Sequence, residues 1–398
     1  MNSFATSTTL QGVAIAGREG RFDLDLCAGR IASVSDSPSR QGGLVLPLFS
    51  DAHVHLDKTF VAHRLPRHAT TLLDAIEITA ADRVRWDAED IRCRATQALH
   101  RAYAYGTGRM RSHVDWTEPE TPVAWSVLNE LRTDWQERVA LQLAALVNLD
   151  LFPEAGESIA ERVAADGGVL GAFVYRNADL RAKVSLLFDL AERHDLALDF
   201  HVDEALEPES QGIDAIVAEA AARGFGRRVL VGHCCSLSVR PFEVVQPLLE
   251  RLGAAEISLC VLPTTNAALQ DRSHGRTPRY RGIAPLHEAH AAGIPVFLAS
   301  DNCRDAFYPW GDYDLWDVFR TAIPMAHLEP ASWIGAITDG PAAVFDAVPE
   351  FRKGAAADFI LFDAESIDDA VSRPLCRRQV WRDGAVVPPD PSLGKPWI

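Results

Sequence analysis

Two imidazoles two residues apart are the first sign of chemistry in this chain. His53-Val54-His55 closes the apolar run Leu44-Val45-Leu46-Pro47-Leu48-Phe49 and the short stretch after it. On an extended backbone, residues two apart point to the same side. Both rings can therefore face one point just beyond a strand end. Two neutral imidazoles aimed at one point are half of a divalent-metal site. Read alone, the pair is equally compatible with two ordinary loop histidines.

Further donors lie far along the chain. His201 falls in the run from Ala197 to Val202, and Asp301 follows Val296-Phe297-Leu298-Ala299-Ser300. Three imidazoles and one carboxylate, His53, His55, His201 and Asp301, suit a single Zn2+ or Fe2+ that keeps a place for water. Such an ion brings the pKa of its water down to about 7, so hydroxide is available at neutral pH. Asp301 can serve both as ligand and as proton acceptor. His233, after Val231-Gly232, would stand beside the ion and stabilise charge formed on attack. Glu204 lies three residues after His201. On an extended chain it would point away, so the backbone must turn there. Its carboxyl could then shuttle a proton to a ring nitrogen of a substrate.

Other groups read more plainly. His113 is either structural or an outer neighbour of the site, with Asp115 as its expected partner. His63, His68, His100, His194, His274, His287, His290 and His327 fall in helices or loops and are assigned no chemistry. Cys234-Cys235 beside His233 raises the question of a thiol nucleophile, but neither has a base of its own, and both read as buried spacers. Asp82, Asp87, Glu89 and Asp90 read as the solvated face of a helix.

These residues work together only if one scaffold gathers them. Eight apolar runs begin near Leu44, Gly108, Val139, Val169, Ala197, Arg228, Ile257 and Pro295, each followed by a helical stretch. The first such stretch spans about 70–105, and a polar loop at 266–281 follows the seventh run. The alternation predicts an α/β fold, a (β/α)8 TIM-like barrel, with an open doubly wound sheet as the alternative. His53/His55, His113, Asn148, His201 and Asp301 end five of the runs. In a barrel, such ends converge on one rim.

The chain ends differ from the middle. Residues 12–16, 30–34, 357–362 and 379–381 are short β patterns, and Asp383-Gly384 marks a hairpin turn. Neither end is large enough for a core of its own. Residues 1–46 and 345–398 are therefore expected to form one small composite β-sandwich domain, and 47–344 the barrel domain. With 398 residues, 47% of them hydrophobic, the chain is long enough for both. A net charge of −16, from 39 basic and 55 acidic residues, leaves no electrostatic footprint for nucleic acid or anionic lipid. Seven scattered cysteines form no disulfide framework, and the N-terminus lacks a basic segment followed by an apolar core. A cytoplasmic chain with reduced thiols and no membrane segment is expected.

In its motifs the chain resembles the amidohydrolase superfamily, and within it the cytosine deaminase branch. The matching stretches are His53-Val54-His55-Leu56-Asp57, Ser112-His113-Val114-Asp115, His201-Val202-Asp203-Glu204, Gly232-His233 and Ser300-Asp301-Asn302. The loops Leu269-Gln270-Asp271-Arg272, Pro278 to Ile283 and Asp305 to Gly311 are similar as well, so the resemblance spans about 44–340. It implies a metal-dependent barrel hydrolase. His53, His55, His201 and Asp301 would bind the metal, Glu204 would move protons, and His233 would hold the water. Two-metal relatives carry a carboxylated lysine on the fourth strand. Val169 to Tyr175 has no lysine, which implies one divalent ion.

The resemblance also names substrate-binding positions. The family's amide-reading glutamine aligns with Asn148, the acidic residue after the metal aspartate with Asn302, and the pocket tryptophan with Phe307. These changes point away from cytosine itself. The expected activity is hydrolytic deamination of a heterocyclic amine or imine, cytosine, a substituted cytosine or a related pyrimidine- or purine-like ring, with release of ammonia. The rivals are hydrolysis of a cyclic amide or other ring substituent, and a non-catalytic metal- or purine-binding barrel. The partner implied is a small heterocycle, and a homo-oligomer is compatible with the sequence.

Overall fold

The computed structural model describes residues 7–345 and 350–388. The N-terminal segment forms β1 (Ser7–Ile15), β2 (Phe22–Cys27), β3 (Arg30–Asp36) and the short β4 (Leu44–Leu46). Then come eight strands: β5 (Phe49–Val54), β6 (Thr107–Trp116), β7 (Ala140–Asn148), β8 (Val169–Val174), β9 (Leu198–Val202), β10 (Val229–His233), β11 (Ser258–Val261) and β12 (Val296–Leu298). Finally β13 (Phe359–Phe362), β14 (Arg378–Arg382) and β15 (Ala385–Val386) close the described chain.

β5 to β12 form one parallel sheet in sequence order. It closes on itself through a parallel bridge between Val54 and Asp301, with the Asp301 backbone N–H donating to the His53 carbonyl at 2.9 Å. Across the same seam, Asp51 accepts hydrogen bonds from the Ser300 backbone N–H at 3.1 Å and from its hydroxyl. Helices follow the strands: α1 (Leu72–Asp82) and α2 (Ala88–Tyr105) after β5, then α3 (Val123–Trp135), α4 (Phe152–Ala165), α5 (Leu180–Arg193), α6 (Gly212–Arg223) and α7 (Phe242–Ala254). α8 (Pro263–Leu269) and α9 (Leu286–Ala291) follow β11, and α10 (Leu315–Ala326) follows β12. The fold is a (β/α)8 barrel.

Alternation along the strands decides what faces the barrel axis. On β9, Leu198, Phe200 and Val202 join the large apolar layer beneath the helices. Asp199 and His201 point the other way, into the barrel. A small apolar plug of Leu230, Cys260, Leu262, Phe297 and Ala299 fills the barrel interior. The second sheet runs β15-β14-β13-β4-β1-β2-β3 and so joins strands from both chain ends. Its own core includes Val13, Ile15, Leu24, Ile31, Val45, Phe359 and Trp381. Asp383 (φ 48°) and Gly384 (φ 71°) make the expected turn between β14 and β15.

Several expectations change. The run Leu44–Phe49 is not one strand. Pro47 has no N–H for a ladder, and the chain splits there: β4 pairs with β1 and β13, and β5 enters the barrel. The helical stretch 70–105 is two helices, α1 and α2, capped by Thr71 and Asp87. The acidic run between them is not simply solvated. Asp82 is buried, paired bidentately with Arg64 at 2.7–3.0 Å and hydrogen-bonded by the Trp86 indole. Asn266 lies in α8 rather than in a polar loop and is fully buried. Of the span 345–398 expected in the terminal domain, 346–349 and 389–398 lie outside the described residues.

Candidate metal centre and active site

The rim at the C-terminal ends of the barrel strands brings His53, His55, His201 and Asp301 together. Nε2 of His201 lies 3.0 Å from Nε2 of His53 and 3.2 Å from Nε2 of His55. Oδ1 of Asp301 lies 3.1 Å from Nε2 of His55 and 3.6 Å from that of His53. All four side chains are buried. Burial, reinforced by neighbouring imidazoles and, at His55, by Lys58, holds the three histidines well below their ordinary range. They are neutral, the form that donates a lone pair to a metal. Burial, and then the charge of Asp305, push the Asp301 carboxyl up to about 8. Among the described residues, neither of its oxygens makes a well-formed hydrogen bond.

That donor set fits a divalent ion. Ligand atoms about 2.0–2.1 Å from a tetrahedral ion lie about 3.3 Å apart, close to the separations here. Without a cation, three lone pairs and an unbonded carboxylate would face one another in a buried space. The His113 ring centre lies 4.0 Å from that of His53, the two rings tilted against each other, and His113 belongs to the same cluster. Its partner is not Asp115. His113 Nε2 lies 3.1 Å from Asp199 Oδ1, and Asp199 Oδ2 accepts from Arg111 at 2.7 Å. Asp199 sits two residues before His201 on the same face of β9, a signal that the alternation of that run carried. Asp115 instead pairs with Lys58 at 2.6 Å and Arg83 at 2.9 Å.

Strained backbone delivers the remaining groups. Asp203, His233, Cys234 and Asp301 all have φ between 50° and 68°, a region that non-glycine residues rarely occupy. Asp203 makes the turn expected after His201, held by its carboxylate accepting from the Gly212 and Ile213 backbone N–H groups that start α6. The turn carries Glu204 back to the site. Strand alternation alone would send His233 outward with Val229 and Val231. The left-handed residues at the end of β10 turn its ring inward instead. Gly232 leaves the room: a Cβ there would come 3.0 Å from the His53 ring.

His233 Nδ1 lies 3.4 Å from Glu204 Oε1 and 3.0 Å from the Asn266 amide. Burial, then the neighbouring His113, push His233 down to about 3. Burial, then the charge of Asp301, hold Glu204 well above the ordinary carboxyl range. Cys234 and Cys235 are buried, and burial raises both thiols, so neither is an activated nucleophile.

A pocket of about 180 Å3 opens over this cluster. His55, His201, Glu204 and His233 form its base. Asn148, Asn302 and Phe307 all line it, with Asn148 at the rim using its Oδ1 to cap the Asp150 N–H. The wall residues Lys58 and Arg83 and the α1 residues Leu72, Ile76 and Thr79 escaped the sequence reading, and Asp115 lines the wall rather than pairing with His113. Lys58 could have been noticed as a cation ending the His53–Asp57 motif.

The profile of the amidohydrolase family matches residues 161–388. A pterin deaminase of Rhizobium rhizogenes is 36% identical over 389 residues, covering 96% of this chain and 89% of that protein. The chain belongs to the amidohydrolase family. An N-isopropylammelide isopropyl amidohydrolase of a Pseudomonas species is 24% identical over 328 residues, 77% of each chain. Among solved structures, the 5-methylcytosine deaminase of Klebsiella pneumoniae liganded with phosphonocytosine superimposes with a TM-score of 0.87 at 26% identity. That match covers 96% of this amidohydrolase and 98% of the other.

Proposed function

We propose that this amidohydrolase is a hydrolytic deaminase of a fused bicyclic amino-heterocycle of the pterin class. His53, His55, His201 and Asp301 hold one divalent ion, Zn2+ or Fe2+, in a barrel domain of residues 47–344 beside a composite domain of 1–46 and 345–398. The carrying observation is the meeting of three imidazoles, the Asp301 carboxyl and a buried Glu204, whose carboxyl burial raises, at the base of a single pocket. The relative at 36% identity over nearly the whole chain favours a pterin over a single pyrimidine ring.

A bound ion would polarise a water molecule and bring its pKa down to about 7. Asp301 takes the proton that this water gives up as it attacks the amine-bearing carbon. Glu204, its carboxyl held above the ordinary range by burial, gives a proton to the adjacent ring nitrogen, which lets that carbon accept electrons. His233, with Nδ1 turned to Asn266, faces the opposite ring nitrogen towards the oxygen that gains charge. The tetrahedral adduct then expels ammonia: Asp301 gives its proton to the departing amino group, and Glu204 recovers a proton from the hydroxyl that becomes the oxo group. Phe307 and Leu146 give the heterocycle apolar faces to lie against.

Ammonia release from pterin, cytosine and 5-methylcytosine, measured on metal-analysed protein, tests the proposal. Turnover of pterin with one equivalent of metal is expected; turnover of neither ring type would defeat it. The 24% identical relative supports a second reading, hydrolytic loss of an alkylamine from a triazine ring. Isopropylamine release from N-isopropylammelide separates the two.

A further inference from the structure

We infer that Asp305, outside the pocket, sets which way the Asn302 carboxamide faces, and that this makes the site select a substrate's amino group over a product's oxo group. The inference rests on the deaminase reading above. Asp305 is buried and is not among the residues lining the pocket. Its Oδ1 accepts from the Phe307 N–H at 2.9 Å and the Tyr308 N–H at 3.0 Å. Its Oδ2 lies 2.7 Å from the Asn302 amide. An ionised carboxylate only accepts hydrogen bonds, so it fixes the amide with NH2 towards Asp305. Burial raises the Asp305 carboxyl to about 6, which leaves it ionised at pH 8.

Asn302 Oδ1 is then the atom left for the pocket, and it forms no hydrogen bond among the described residues. Asn302 follows Asp301 directly and lines the pocket with His55 and His201, which would place it beside the reacting carbon of a bound substrate. An exocyclic amine there donates to Oδ1. The oxo group that replaces it after deamination meets Oδ1 lone pair to lone pair. Substrate is thereby held and product is disfavoured, through a residue that touches neither. Asp305 is a positioning residue in this scheme.

D305N tests it with little change of shape. The side-chain oxygen can still accept from Phe307 and Tyr308, but an NH2 now meets the NH2 of Asn302. The Asn302 amide should flip and offer a donor to the pocket. Binding of pterin and of its deaminated product, lumazine, is measured calorimetrically at pH 8 in E204Q protein, where turnover does not interfere. The wild-type position 305 should bind pterin more tightly than lumazine. D305N should shift the ratio of dissociation constants at least about fivefold towards lumazine. Adding N302D restores an acceptor held by a donor, and should return the ratio towards its starting value, which a merely structural defect would not do. If D305N does not fold, N302L reads the same amide with Asp305 intact, and loss of the preference supports the inference. An unchanged ratio in D305N or N302L overturns it, as does binding of neither ligand. Ammonia release by the wild type tests the deaminase reading separately. A protein that releases none yet shows the shifted ratio would keep the Asp305 inference and lose the reaction.

Discussion

Glu204 is the side chain on which the proposed chemistry turns most directly. It is buried, close to His233 and held well above the ordinary carboxyl range by burial and by Asp301. E204Q keeps the size of the side chain and removes the exchangeable proton. It should retain one equivalent of metal and lose about 10^2- to 10^4-fold in turnover, read by metal analysis beside an ammonia assay. A rate near that of the parent would remove Glu204 from the mechanism. H201A should do the opposite and fall in metal content first, since its Nε2 meets both His53 and His55. The strand-end histidines, Asp301 and Glu204 were visible in the sequence because each ends, or closely follows, an apolar run. The residues around them were harder to see. His113 has Asp115 two positions away in sequence, yet β9, reached across the barrel interior, supplies its real partner, Asp199. Asn266 reaches His233 only because α8 begins directly after β11. Pairings across a barrel depend on register between strands, and one sequence does not display register.

Among the elements, α1 shows best what was and was not legible. Its helical character was plain, but its separation from α2 was not. The break is imposed by tertiary contacts, with Arg64 arriving from an earlier loop to bind both Asp82 and Asp90. α1 packs on Phe307, Leu269 and Ala306 in an apolar cluster separate from the main core, and it walls the pocket with Leu72, Ile76 and Thr79. Its first turn is tied down by Asp74, which accepts from the Thr70 N–H at 2.8 Å and from Arg67. The Arg67 guanidinium, outweighing the slight burial, holds the Asp74 carboxyl well below its ordinary value of 3.8. A lowered carboxyl stabilises the fold above its unfolded value, and that contribution is lost as pH falls below about 4. Hydrogen exchange at 72–82 should therefore quicken in acid before the barrel strands exchange. D74N at pH 7 should show the same quickening, together with a raised KM. Slow exchange in D74N at pH 7 would mean that the apolar cluster alone holds α1 in place.

Across the whole molecule, the βα alternation announced the barrel, and the short β patterns at both ends announced a shared second sheet. Each segment lacks enough apolar surface to fold alone, so the chain ends meet. Pro47 was the one junction where an apolar run misled, because a buried strand of either sheet has the same composition. The closed barrel forces the donors onto one rim and so creates a linkage between metal, protons and stability. In the ion-free chain, burial and Asp305 push Asp301 up to about 8, while the three ligand histidines are already neutral. Metal binding below pH 8 must then release a proton from Asp301 and none from the imidazoles, with the bound water adding to the release near and above pH 7. Affinity should rise at least about tenfold per pH unit from 6 to 8. Calorimetry in buffers of different ionisation enthalpy should count about one proton or more released at pH 7. The stability of the ion-free protein should move the other way. A carboxyl whose folded value is raised from 3.8 to about 8 favours the fold below about 4, and that advantage is lost progressively up to about 8. Chelation should therefore lower the melting temperature more at pH 8 than at pH 6. A chelator-induced drop of equal size at both pH values, with no proton released on rebinding, would mean that Asp301 lies outside the metal's reach.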